Sequence, residues 1–132
     1  MQPKFHVSLR LIDEEFFNLP EEVTRQIGVL PSETWHKGES RPVTNILHKD
    51  SGWELKSGLP LDAPLIDHIN FLLSVVRPVR EQFISLTDKY YSILTCAIYF
   101  GDESPEIHFD NELLKQIADL NLRLDLDLYA TE

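Results

Sequence analysis

Two segments near the ends of the chain alternate apolar and polar residues, and they restrict the fold more than any other feature. In KFHVSLRLI (4–12), Phe5, Val7, Leu9 and Leu11 fall on one parity, and His6, Ser8 and Arg10 on the other. In LRLDLDLY (122–129), Leu122, Leu124, Leu126 and Leu128 oppose Arg123, Asp125, Asp127 and Tyr129. Successive side chains of a strand project to opposite faces, so each segment reads as a strand with one buried and one wet face. A sheet covered by helices on both sides is built from strands that are apolar throughout. Helices are therefore expected on one side only, with the other side open.

Between these ends the pattern changes period. Leu65, Ile69, Leu72, Val76, Val79, Phe83 and Leu86 recur at alternating spacings of four and three, the signature of a long amphipathic helix over 65–86. Pro78 lies inside it and removes the backbone donor that would meet the Ser74 carbonyl, so a kink is expected there. Earlier, Pro20 can open a short helix whose first turn holds Glu21 and Glu22, where the helix dipole favours acids. Gly28 closes that helix and Pro31 prevents its resumption. VTNILH (43–48) and GWELKS (52–57) read as strands around the turn KDSG, and YYSILTCAIYFG (90–101) as a long apolar strand. GDESPEIHFD suggests a turn and a short strand. In NELLKQIADL (111–120) the spacing predicts a helix capped by Asp110 or Asn111, with Leu114, Ile117 and Ala118 inward. The order β-α-β-β-α-β-β-α-β points to one α+β domain over residues 1–132. Its expected form is a two-layer ferredoxin-like sandwich, with a mixed or antiparallel sheet and helices on one face.

The net charge of −10, from 22 acidic and 12 basic residues, argues against nucleic acid and anionic membrane as partners, because neither offers a counter-charge. The longest apolar clusters, FLLSVV and ILTCAIYF, fall far short of the roughly 20 residues that span a bilayer. No apolar signal-type run opens the chain. A single cysteine, Cys96, allows no internal disulfide and fits a reducing, cytoplasmic setting.

Chemistry-bearing motifs are sparse. Walker and dinucleotide glycine patterns are absent, as is a G-x-S-x-G elbow. Cys96 sits mid-strand in an apolar run and reads as a buried structural thiol. His6, His36, His48, His68 and His108 form no close ligand pair, so no metal or other cofactor is expected. One stretch, VLPSETWHKGES (29–40), gathers Trp35, His36, Lys37 and Glu39 around Gly38. It reads as a surface loop or short edge strand, or as a loop that closes over a ligand together with Trp53. The polar sheet face supplies a second candidate surface: Arg10, Arg123, Asp125, Asp127 and Tyr129, joined by Tyr91, Thr95 and Tyr99 and, from the short strand, Glu106 and His108. Tyr and Arg are enriched at interface cores, so this face reads as a platform for another protein, a basic one for preference, or for a second copy of the chain. The functional expectation is a non-catalytic protein-binding module of adaptor, inhibitor or toxin-immunity type. The alternatives are a small-ligand or acid–base site built on 35–39 with Trp53, and a homodimeric structural domain.

The order of these elements resembles domain-of-unknown-function family 4279, found mainly in bacteria. The residues that carry the resemblance are the helix-ending turn Ile27-Gly28-Val29-Leu30-Pro31, the Lys37-Gly38-Glu39 element, Trp53 in SGWELKS, the long helix, and the Leu/Asp-rich strand LRLDLDLY. The resemblance implies a small α+β domain and brings no catalytic residues with it.

Overall fold

The computed structural model describes residues 2–131. Its elements are β1 (Lys4–Asp13), α1 (Leu19–Ile27), β2 (Glu33–Trp35), β3 (Ser51–Lys56), α2 (Leu65–Val76), a 3-10 turn (Arg77–Val79), α3 (Arg80–Thr87), β4 (Tyr91–Phe100), α4 (Asn111–Asp119) and β5 (Arg123–Ala130). The strands form a mixed five-stranded sheet in the order β2-β3-β1-β4-β5. β1 pairs antiparallel with both β3 and β4, and β2 pairs antiparallel with β3. β5 runs parallel to β4, which requires a crossover, and α4 lies in it.

Register assigns every strand residue to a face. Leu9 faces Leu55 and Leu94, and Leu11 faces Trp53 and Ser92. The odd residues of β1 are thus continuous with Trp53, Leu94, Cys96 and Ile98, all of them buried. Helices cover this side. Leu19, Val23 and Ile27 of α1, Ile69, Leu72 and Val76 of α2, Phe83 and Leu86 of α3, and Leu113 and Ile117 of α4 join the same core. The expected α+β architecture with one helical layer is what the chain adopts.

Local chemistry explains two of the helix ends. Gly28 takes φ 70° and its N–H bonds back to the Thr24 carbonyl at 2.8 Å, a left-handed C-cap that suits glycine. Asp110 caps α4 by accepting a hydrogen bond from the Leu113 N–H at 2.8 Å.

Several expectations are corrected. The 65–86 stripe does not form one kinked helix. α2 ends at Val76, Pro78 falls in the 3-10 turn, and α3 begins at Arg80. Leu65, Ile69, Leu72, Val76, Phe83 and Leu86 are all buried nonetheless, because the turn preserves the phase of the stripe. Residues 43–48 are not a strand; Glu33–Trp35 takes that edge instead. The segment folds into a loop with a single bridge between Ser40 and Leu47. Pro42 and the bond from the Ile46 N–H to the Thr44 hydroxyl turn the chain, leaving Val43, Ile46 and Leu47 exposed. Residues 105–109 alternate as read, with Ile107 and Phe109 packed against the core, but they join no sheet. Glu106 and His108 therefore do not lie on the open face. In α4, Leu113 and Ile117 point inward, as does Leu120 just beyond its end, while Leu114 is exposed. Ala118 is exposed too.

Phe83 is fully buried in this core. Phe83→Ala should cost about 3–5 kcal/mol in denaturant titration, whereas Leu114→Ala should cost under about 0.5 kcal/mol. Equal losses from the two would contradict this packing.

Candidate functional site

The sheet face opposite the helices carries the even residues of β1, and register orders its side chains into rows. Trp35, Gly52, Ile12 and Tyr91 lie across one row. Glu33, Glu54, Arg10, Ile93 and Arg123 form the next. Lys56, Ser8, Thr95 and Asp125 follow, then His6, Ala97 and Asp127, then Lys4, Tyr99 and Tyr129.

The β2–β3 side of this face is closely packed. The Arg10 Nε donates to Glu54 Oε2 at 2.6 Å, and its guanidinium carbon lies 5.9 Å from the Trp35 ring centroid. The Glu54 side chain is only 3% exposed against 44% for Arg10, so the guanidinium compensates a carboxylate otherwise lost to solvent. Glu33 sits opposite Glu54. The Lys56 ammonium, 3.1 Å away, is the main influence holding the Glu33 carboxyl below its ordinary range. Trp35 lies flat over Gly52, where an added Cβ would come within 2.1 Å of the ring. Only glycine admits the indole at that distance. Its Nε1 donates to Asp50 at 2.9 Å and its ring stacks on His48.

The β4–β5 side is wetter. Arg123 stands 4.5 Å over the Tyr91 ring, a cation–π arrangement. Tyr99 stacks on Tyr129 at 4.8 Å and receives the edge of His6 at 5.5 Å. Asp125 and Asp127 are exposed; among the described residues neither enters an ion pair. A cleft of about 340 Å³ opens between this face and the 57–61 segment, lined in part by His6, Ser8, Arg10, Lys56 and Thr95.

The stretch 35–39 is divided between the two sides of the molecule. Trp35 belongs to the open face. His36 turns to α1, where its Nε2 contacts Glu21, its Nδ1 lies 3.2 Å from Glu39 Oε1, and its ring stacks on Phe17 at 4.7 Å. Glu39 also accepts from the His36 backbone N–H at 2.7 Å. Lys37 is exposed, and its backbone N–H donates to the Ser51 hydroxyl. The loop is thereby clamped to the start of α1. Trp53 leaves the candidate list. It is fully buried on the helix side, with Nε1 donating to the Thr24 hydroxyl at 3.1 Å. Its parity with Leu55 in β3 is the signal that places it there.

Two buried groups complete the inventory. Burial, reinforced by Asp127 and Asp125, pushes the Cys96 thiol up to about 12, so it is protonated and inert at neutral pH. His68, read only as an isolated histidine, is fully buried on α2 with Nδ1 2.6 Å from the Ser57 hydroxyl; Nε2 makes no well-formed hydrogen bond among the described residues, although the Pro60 and Ala63 carbonyls approach the ring. Desolvation drives its basicity down. No sequence spacing links Ser57 to His68, and only the packing of α2 against the end of β3 joins them. Among the described residues no cluster of three or more His, Cys, Asp or Glu side chains is arranged to hold a metal ion.

The His36 clamp makes a pH prediction. The Glu21 hydrogen bond is the leading cause raising the His36 pKa above 6.5. A raised folded-state value means that the clamp contributes fully below the ordinary histidine pKa and is lost as pH rises through the folded one. An NMR titration should place the His36 midpoint above 6.5, and Glu21→Gln should lower it. A midpoint unmoved by Glu21→Gln would contradict the clamp.

A family model described as "Domain of unknown function (DUF4279)" matches residues 3–131. The match covers nearly the whole chain and bears out the resemblance drawn from its turns and strands. No curated protein and no solved structure matches.

Proposed function

Since the chain belongs to the DUF4279 family, whose description names no reaction, we propose a function from geometry alone: a protein-binding module that uses its open sheet face. The observation that carries this reading is the β4–β5 side of that face. There the exposed Asp125 and Asp127, in no ion pair among the described residues, stand beside the Tyr99–Tyr129 stack and the Tyr91–Arg123 pair. Rigid aromatic anchors flanked by uncompensated charge make a surface suited to recognition and electrostatic steering. A basic protein is the partner such charge favours. The reading is of adaptor, inhibitor or immunity type, in one cytoplasmic domain, without nucleic acid as a partner. Among the described residues no helix is long and apolar enough to cross a membrane.

We further read β1, α1, β2, β3, α2 and β4 as a ferredoxin-like unit, with α4 and β5 added at the β4 edge. The order β4-β1-β3-β2, with its three pairings antiparallel, supports this reading. On it, the proposed binding surface lies largely on the addition.

Small-ligand binding is the second reading. Ser8 is 7% exposed and lines the cleft with Arg10 and Lys56; its hydroxyl is not among the buried, unsatisfied groups of the described residues and stays open to the cleft. A small polar ligand could satisfy it.

The test is affinity capture from the native host with the wild-type chain and with Asp125→Lys/Asp127→Lys. Wild type should enrich a partner that the double variant loses and that moderate salt weakens. Retention of every partner by the variant would refute the acidic-platform reading. Light scattering showing a dimer that the same substitutions dissociate would instead assign the face to self-association.

A further inference from the structure

β5 is an edge strand of eight residues. Its inner side pairs with β4 from Ile93↔Arg123 to Phe100↔Ala130. Among the described residues no other segment makes a backbone hydrogen bond with its outer side. Long open edges invite another strand, and proteins commonly blunt them with charged side chains, above all lysine, with proline, a bulge or a covering loop; the charges here are Arg123, Asp125 and Asp127, whose net negative sign repels a like-charged strand but not a basic one. The segment RLDLDLYA contains no proline and no lysine, and its ladder with β4 has no bulge. The helix layer covers only its first half, where Leu124 packs against the core. Leu122 is 8% exposed, but Leu126 and Leu128 are 39% and 58% exposed. The free edge thus offers leucines on one face and aspartates on the other.

This pattern specifies an occupant. Resting on the protein-binding reading above, we propose that β5 accepts an extended segment of a partner protein as a sixth strand, a segment in which basic and apolar residues alternate. The added strand would bring Lys or Arg beside Asp125 and Asp127 on the open face. On the other face its apolar residues would cover Leu126 and Leu128. Main-chain hydrogen bonds supply affinity in such strand addition, and alternate side chains supply selectivity. A second copy meets like charges: centring a two-fold antiparallel pair on Asp125 sets Arg123 against Asp127 twice but opposes Asp125 to itself. A two-fold antiparallel pair centred on Leu126 would set Asp125 opposite Asp127 twice, and like charges directly opposed destabilise a sheet. Centring on Leu124 pairs Arg123 with Asp125 but leaves Leu128 opposite Leu120, which lies outside the strand.

The probe is a capped, fluorescently labelled peptide of about eight residues, a typical strand length, alternating Lys and Val. Binding to the full chain is followed by anisotropy. Three comparison peptides carry Glu in place of Lys, a block order of the same residues, or N-methyl groups on two adjacent central residues, which remove a donor from either edge. The alternating peptide should bind, and each comparison should lose about tenfold or more in affinity. Asp125→Asn/Asp127→Asn should weaken binding similarly, with circular dichroism confirming an unchanged fold. Equal binding of the N-methylated or block peptide overturns strand addition while leaving the acidic open face as the contact surface. Equal binding of the Glu peptide, or no effect of the Asp→Asn pair, overturns both. Absence of binding by the alternating peptide overturns strand addition, and so does a dimer of the chain alone that uses β5; the affinity capture still judges the open face independently.

Discussion

The burial of one parity of β1 is the constraint on which the rest depends. Leu9 and Leu11 are completely buried at the centre of the sheet, paired on one flank with β3 and on the other with β4. A one-residue slip in either pairing would carry these leucines to water and bring His6, Ser8 and Arg10 beneath the helices. Register is therefore fixed by hydrophobic burial. Once fixed, it sets the composition of the open face on every neighbouring strand. Arg10 meets Glu54 because Leu9 and Leu11 must meet Leu55 and Trp53.

The two sides of the open face consequently do different work. On the β2–β3 side, Arg10, Glu54, Glu33, Lys56 and Trp35 are committed to one another. Removing Arg10 would strand a buried carboxylate, a change that costs several kcal/mol in comparable sites. Arg10 is thus tied first to the fold. On the β4–β5 side, Asp125 and Asp127 hold no partner among the described residues, and the tyrosines stack outward. Charge that the fold does not neutralise remains available to something else. This division separates a scaffold from a contact surface within one sheet.

Much of this is legible in the sequence, and the two misplaced strands share a cause. Alternation in 4–12 and 122–129 identified both strands, their wet faces and the one-sided helix layer, because period is a local property. Gly28 and Asp110 marked helix ends through equally local cap chemistry. The loop at 43–48 and the segment 105–109 have strand-like apolar patterns, yet neither joins the sheet: the β3 edge is taken by Glu33–Trp35 and the β4 edge by β5. Competition for an edge cannot be read from either segment alone. The break at Pro78 looks like a kink in the sequence because the stripe keeps phase through it. Among the candidate residues, face membership followed from parity for Arg10, Arg123, Asp125, Asp127 and Tyr129. Trp53 stands close to 35–39 in the chain, but its parity with Leu55 places it in the core. The Arg10–Glu54 and Ser57–His68 contacts depend on register and helix packing, which no spacing in the chain reveals.

The central claim is that the working surface lies on the open side of the sheet and its β5 edge. Hydrogen exchange on the chain alone and bound to its captured partner tests this most directly. The account predicts slowed exchange on binding along Asp125–Tyr129 and at neighbouring β4 positions, with α1 and α2 unchanged. Slowing confined to α1, α2 and α3, with β5 exchanging as in the free chain, would place the contact on the helix layer and contradict it.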